Sequence, residues 1–342
     1  MSPGTPGRAR CPSPVLASRR RILLAAAALG TGCAAGAPPT AAGGTGDGAD
    51  RARKGLRAAV RSRATAALPA YAPRRLREMR DRLAPLHERT TAPKPGEWRA
   101  DHPETGQTFE EYVTSGPTAP TTERRTLVVA PLGGLDEART RILGIVAEAL
   151  TAHFGLPARI DPVIEPGPPP RGASRTIGRT RQLRSGWLLE GVLAPQLPPD
   201  AAALLGFTSE DLWPGQDWNF VFGEASLQRR VGVWSLHRHG DPASPGMFRI
   251  ALRRALKTAL HETGHMFSLQ HCTRWRCLQA GINSLEEEDR APLWACPVCL
   301  AKIAWVTSSD PRERLDAMAA LCRRVDLVDE ARHFDRDRAA LA

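Results

Sequence analysis

Lysine is scarce in this chain. Only Lys54, Lys94, Lys257 and Lys302 contribute to the 47 basic residues, so the net charge of +11 rests on arginine. With Ala, Gly and Pro abundant, that bias points to genomic composition rather than to a selected cationic surface. No Lys/Arg block interleaved with aromatics occurs, which argues against nucleic acid as a partner. A long apolar run is also missing. The best candidate, residues 22–29, is too short to cross a bilayer as a mature helix. No internal repeat is found. What remains is a 342-residue chain with 42% hydrophobic content, enough for a real core in one large domain or two modest ones.

The short apolar run has a different meaning. It follows an arginine cluster, and Ser18-Arg19-Arg20-Arg21-Ile22-Leu23-Leu24 resembles a twin-arginine export signal. Gly30-Thr31-Gly32-Cys33 then resembles a lipoprotein cleavage box, with Leu29 one position too far upstream. On this reading residues 1–33 are an export signal, Cys33 is the lipidated N-terminus, and the mature protein is exported and tethered to a membrane. The alternative is a disordered leader on a cytoplasmic protein. Cys11 precedes the expected cleavage point.

Residues 34–93 read as a flexible Ala/Gly/Pro linker followed by one or two exposed helices. Thr126-Leu127-Val128-Val129-Ala130 is a buried strand, and residues 138–154 have helical spacing that stops at Gly155. A second strand is expected near 158–164. Phe220-Val221-Phe222-Gly223 and residues 231–236 read as two strands of a hairpin. Residues 248–270 form a long helix with Leu252, Leu256, Ala259 and Leu260 as its buried stripe and Arg253, Arg254 and Lys257 as its solvated side. A C-terminal helix is expected from Asp310 to about 331, followed by a frayed end. Strand, helix, strand implies an α/β (α+β) fold.

The chemistry concentrates in residues 261–272, His-Glu-Thr-Gly-His-Met-Phe-Ser-Leu-Gln-His-Cys. His261 and His265, four apart on a helix, leave one face and can share a metal ion. Glu262 can reach a metal-bound water without being a ligand. His271 follows at the distance of a third ligand, provided the chain turns back after the helix. Three neutral imidazoles and an open position describe a catalytic zinc site rather than a structural one. The competing reading is a chance His-Glu-x-x-His on an ordinary helix. Cys272, Cys277, Cys296 and Cys299 form C-x4-C, eighteen intervening residues, then C-x2-C, the spacing of a closed structural zinc site. Two disulfides are the alternative. Cys322 reads as a buried small hydrophobe. Glu286, Glu287, Glu288 and Asp289 read as a solvated acidic turn.

The zinc helix, the adjoining His-Cys and the two cysteine pairs together resemble the archaemetzincins, metzincin-type zinc peptidases with a second, four-cysteine zinc. Pro131-Leu132-Gly133, the segment 219–225, Ser235-Leu236-x-Arg238 and Asn283-Ser284-Leu285-x-Glu287-x-Asp289 agree. Trp98 and residues 102–109 (His-Pro-Glu-Thr-Gly-Gln-Thr-Phe) resemble the segment that precedes the domain in animal-type members. The resemblance covers roughly 94–305. It implies a metzincin-like peptidase domain with a mixed sheet, a long active-site helix and a segment stapled by four cysteines, leaving 306–342 as a C-terminal helix. It also implies two Zn2+ per chain, one catalytic on His261, His265 and His271 and one structural on the cysteines. Glu262 would be the general base, acting on peptide or protein substrates in a monomer. Three departures stand out. Ser268 replaces the Gly that ends the helix, Gln279 replaces the Met beneath the zinc, and the spacing to Cys296 is one residue short.

The resemblance further implies that the strand around 231–236 pairs with an extended substrate, with Trp234 and His237 either lining the cleft or simply packing. Two other function classes compete. One is a catalytically silent zinc scaffold at the cell surface, suggested by Ser268 and Gln279 and opposed by the intact Glu262. The other is a nucleic-acid zinc ribbon, which lacks flanking basic and aromatic residues.

Overall fold

Residues 126–131 are apolar at consecutive positions rather than alternate ones, the signature of a strand buried on both faces. The computed structural model, which describes residues 73–215 and 218–342, shows this directly. Strand β1 (Thr126–Pro131) directs Leu127 and Val129 into the larger core and Val128 and Ala130 into a second core on the opposite face. The main sheet has the order β2-β1-β5-β8-β7, with β2 at Ala158–Ile160, β5 at Ala201–Thr208, β7 at Gly223–Ser226 and β8 at Val231–Ser235. All its pairings are parallel except β7 with β8. A smaller sheet joins β3 (Ser174–Ile177), β4 (Thr180–Arg184) and β6 (Asp211–Trp213).

Helices α1 (Pro73–Leu83), α2 (Glu137–Phe154) and α3 (Met247–Met266) cover the larger-core face. Three more helices, α4 (Pro297–Thr307), α5 (Pro311–Arg324) and α6 (Val328–Ala340), complete it. Asp136 caps α2 by accepting from Arg139 N–H, and Gly155 ends it in the left-handed region at φ 63°. Leu252, Leu256, Ala259 and Leu260 of α3 are buried as the stripe predicts. The mixed α/β architecture with a long helix behind the sheet is therefore borne out. Among the described residues no helix is long and apolar enough to cross a membrane. Residues 18–33, Cys11 and the linker 34–50 lie outside the described residues.

Several expectations need correction. Strand β5, the centre of the sheet, is not anticipated, because Ala201-Ala202-Ala203-Leu204-Leu205-Gly206 has no period-two alternation when both faces are buried. The hairpin exists, but its first strand starts at Gly223, and Phe220 and Phe222 instead pack on Trp98. Strand β8 has β5 on one side and β7 on the other, so β8 has no free edge for a substrate. Trp234 is fully buried and stacked on Phe207, so it packs, while His237 is exposed. Helix α3 ends at Met266, four residues before the expected end. The helix in 73–83 is not exposed along its length, since Leu76, Met79 and Leu83 enter the core.

The single C-terminal helix expected over 306–342 is two helices. Asp326, at φ 59°, reverses the chain between α5 and α6, which lets Ala331, Phe334 and Leu341 join the main core. The acidic turn is not solvated either. Glu288 is buried and accepts from the Thr258 hydroxyl at 3.0 Å, and Asp289 takes both ends of Arg254 at 2.8 and 2.6 Å. Lys257, expected on the solvated side of α3, is buried and donates to Glu288 O.

The two end regions of the described chain are clamped by a buried cluster of two imidazoles on one carboxylate. His87 Nε2 donates to Asp337 Oδ2 at 2.7 Å, and His333 Nε2 stands 3.3 Å from the same oxygen. Burial opposes ionisation of Asp337, but the two imidazoles outweigh it and hold its carboxyl well below the usual carboxylate range. Removing the carboxylate leaves buried imidazole N–H groups without an acceptor, so Asp337→Ala should cost about 1–3 kcal/mol in urea unfolding. Elsewhere, burial holds His153 well below the ordinary histidine value, with Arg314 adding to the effect. The neutral ring therefore stabilises the fold fully above pH ~6.5, and that contribution is lost as pH falls toward the folded value. Stability measured by urea unfolding should fall between pH 6.5 and 5. His153→Met should make the fall shallower by about 1.4 kcal/mol per pH unit.

Candidate active site

The last two turns of α3 carry His261, Glu262 and His265 on a helix held rigid by its buried stripe. The turn that follows is short. Phe267 caps the helix, Ser268 takes the left-handed conformation at φ 65°, and Leu269 N–H returns to Gly264 O at 3.1 Å. The family's Gly position is therefore left-handed here as well, with Ser in place. Two groups from an upstream segment support this corner. The Tyr112 hydroxyl donates to Phe267 O at 2.6 Å, satisfying one of the helix's terminal carbonyls, and Thr118 N–H donates to Ser268 Oγ at 3.1 Å. The chain then delivers His271 beside the other two imidazoles.

The hydrogen bonds fix the tautomers. His261 Nδ1 lies 2.8 Å from Leu278 O, and His265 Nδ1 lies 2.6 Å from Leu269 O. A carbonyl oxygen cannot donate, so each Nδ1 carries the proton and each Nε2 keeps a lone pair. Those two Nε2 atoms face each other at 3.0 Å. His271 Nδ1 is 3.0 Å from both Glu104 oxygens, and its Nε2 is buried without a partner. All three Nε2 atoms thus converge as acceptors. The expected N···N separation for tetrahedral zinc with bonds of about 2.0–2.1 Å is roughly 3.3 Å. The residues fit a metal ion.

Glu262 is buried and its Oε2 has no hydrogen-bond partner. Burial, with Glu288 and Glu224 nearby, pushes its carboxyl up to about 8. Gln279 lies under the site, buried, with Nε2 donating to His261 O at 3.1 Å and reaching His265 Nε2 at 3.3 Å. The amide that replaces the expected Met is thus anchored on the backbone of His261, beneath the imidazoles.

The four cysteines are buried, free of disulfides and gathered within 4.8 Å of one another at their sulfurs. The Cys272 and Cys296 sulfurs are 3.7 Å apart. The edge of a tetrahedron with Zn–S bonds of about 2.3 Å is roughly 3.8 Å, whereas a disulfide needs about 2.05 Å. Backbone N–H groups of Cys296 and Gln279 point at Cys277 Sγ, as thiolates require. The two clusters share one loop. Cys272 N–H donates to Gln279 O at 2.7 Å, and the same loop supplies Leu278 O to His261.

A third cluster, His87, His333 and Asp337, has metal-like composition but fails the same test. Arg336 donates to His333 Nδ1 at 3.1 Å, which places the His333 proton on Nε2, and His87 Nε2 is already a donor to Asp337. Both rings turn N–H groups, not lone pairs, toward the centre. Arg276, Arg332 and Arg336 line the adjoining cavity, which further disfavours a cation.

Residues 201–305 match the model of peptidase family M54. The chain is 32% identical over 267 residues to Archaemetzincin-2 of Macaca fascicularis, covering 67% of this chain and 72% of that one. The same figures hold for Archaemetzincin-2 of Homo sapiens. The chain belongs to the archaemetzincin family. It is accordingly a zinc metallopeptidase. Archaemetzincin of Thermococcus kodakarensis is 36% identical over 108 residues, 30% of this chain and 56% of that one. The crystal structure of archaemetzincin from Methanopyrus kandleri has a TM-score of 0.45 at 26% identity, covering 56% of this chain and 99% of that one.

The residues that the sequence links to this family converge. Not anticipated were the contacts that tie the archaemetzincin site to the segment carrying Trp98, Asp101 and Glu104, which precedes the matched block. Glu104 binds His271, Glu287 accepts from the backbone N–H of Trp98 and of Asn283, and Asn283 donates to Asp101. Gly281 belongs to the same junction, since a Cβ there would overlap the Trp98 indole. The resemblance flags Trp98, residues 102–109 and the segment 283–289, but the partners lie far apart in sequence, and no local signal pairs them. Ser268 yields a prediction. Glycine at 268 relieves about 1–2 kcal/mol of left-handed strain but loses the Thr118 bond and adds unfolded-state entropy, so Ser268→Gly should be neutral within about 1 kcal/mol. Ser268→Val, β-branched at positive φ, should cost more than about 2 kcal/mol by urea unfolding.

Proposed function

We propose that His261, His265 and His271 hold the catalytic zinc through Nε2 and that Glu262 is the general base of peptide-bond hydrolysis. Cys272, Cys277, Cys296 and Cys299 hold a second, structural zinc, giving two ions per chain. One observation carries this reading. Two acceptor nitrogens facing each other at 3.0 Å, with a third unpartnered beside them, repel unless a cation lies among them. Zinc bound there supplies Lewis acidity, lowering the pKa of water toward ~7 and polarising a carbonyl.

The chain's own groups do the rest. Glu262 takes the proton of the attacking water and passes it to the leaving amine. Its burial favours the protonated form, whereas a cation among the three imidazoles favours the carboxylate, so the two effects place it where it can exchange a proton near neutral pH. A cleft of about 600 Å³ opens beside His265 and His271, walled by Trp98, Pro103, Ala225, Leu227 and Leu269. This apolar wall suits a hydrophobic side chain next to the scissile bond. Ala225 belongs to β7, the edge strand, whose outer backbone groups are placed to pair with an extended peptide. The silent-scaffold reading is not favoured, given membership of a peptidase family and a buried, unspent Glu262.

Export and attachment through lipidated Cys33 remain part of the proposal, supported by the arginine cluster and the Gly30-Thr31-Gly32-Cys33 box. Glu262→Gln should retain both zincs by elemental analysis and lose at least about 10²-fold in turnover on a mixed peptide library. Undiminished cleavage by that variant would remove Glu262 from the role.

A further inference from the structure

The three histidines are held unequally. His261 and His265 ride on one rigid helix, and each gives its Nδ1–H to a neutral backbone carbonyl. His271 stands on the loop beyond Ser268, whose left-handed backbone must be held closed by its neighbours. It has no helix to fix its ring. Among the described residues its Nδ1 partner is a carboxylate. Both Glu104 oxygens lie 3.0 Å away, from a residue 167 positions upstream and outside the block matched to the peptidase family. The Trp98 ring meets the His271 ring edge-on, at 5.0 Å and 76°. The segment that carries Trp98 and Glu104 is itself tied to the cysteine loop, through Glu287, Asn283 and the bare Cα of Gly281.

We propose that Glu104 is a positioning residue for the metal. Its carboxylate locks His271 in the Nδ1–H tautomer and in one ring plane, presenting Nε2 to the ion, and its charge makes that imidazole a stronger donor. This rests on the three-histidine reading of the zinc site. Glu104 also lines the substrate cleft, so the segment that walls the cleft is the one that sets the third ligand. A carboxylate behind a ligating histidine typically contributes 10–100-fold to metal affinity. Gln at this position keeps an acceptor for Nδ1–H but loses the charge, whereas Ala loses both.

The test is zinc retention by the full chain across a series of zinc-buffered chelator concentrations, read by elemental analysis, with thermal unfolding in parallel. Wild type should hold two zincs. Glu104→Ala should lose one of them at 10–100-fold higher free zinc, keep the cysteine-bound ion and keep its unfolding midpoint in excess zinc. Glu104→Gln should recover part of the affinity, a rescue that a purely structural residue would not show. Unchanged affinity in Glu104→Ala would overturn the proposal. So would loss of both zincs together with a lowered midpoint in both variants, which would make Glu104 a residue of the fold. A wild type that holds only the cysteine-bound zinc would instead sink the three-histidine site, and this inference with it.

Discussion

Two imidazole nitrogens that can only accept, facing each other at 3.0 Å, form the contact on which the rest of this structure depends. The arrangement is unfavourable by itself and is imposed from outside. Leu278 O and Leu269 O each demand an Nδ1 proton, and the Glu104 carboxylate demands the third. Every element around the site serves one of these three acceptors. Helix α3 supplies two rings at a fixed spacing, the Ser268 corner brings Leu269 and His271 back, and the cysteine loop delivers Leu278. The same tautomer logic separates this cluster from the one around Asp337, where both imidazoles turn their protons inward toward one carboxylate.

The cysteine knot is therefore more than a staple near the active site. Cys272 follows His271 directly, and its N–H is bonded to Gln279 O, one residue beyond the carbonyl that orients His261. Gln279 also donates to His261 O, so one loop touches α3 at this histidine's backbone and at its ring. The four sulfurs meet across that loop, and α4 begins on it, capped by Cys296. Helices α5 and α6 then close the core and return Asp337 to His87. The far C-terminus and the segment before the sheet are thus joined to the metal region by a continuous run of buried contacts.

Much of the site was legible because its chemistry is local. His261, Glu262 and His265 lie within five positions on one helix, and the C-x2-C pair fits on one turn, so spacing alone carries the geometry. The left-handed turn at Ser268 was legible through the Gly it replaces. The fold was less so. Strand β5 has both faces buried, which erases the alternation that marks a strand, and α4 is apolar on all sides, which erases the helical stripe. The break between α5 and α6 turns on a single left-handed Asp326, which no composition signal announces. Lys257 and Glu288 looked like solvated charges because each is charged. They are buried because they satisfy one another's surroundings across α3 and the acidic turn.

The sequence by itself determined the three histidines and four cysteines that converge, the glutamate beside them and the helix that carries His261, Glu262 and His265, because those depend on residue type at short separations. The tertiary structure decided which nitrogen each histidine offers and which strand edge is free. It also decided which distant carboxylate stands behind His271. Those properties depend on partners contributed by other elements, and only folding brings the partners within hydrogen-bonding distance.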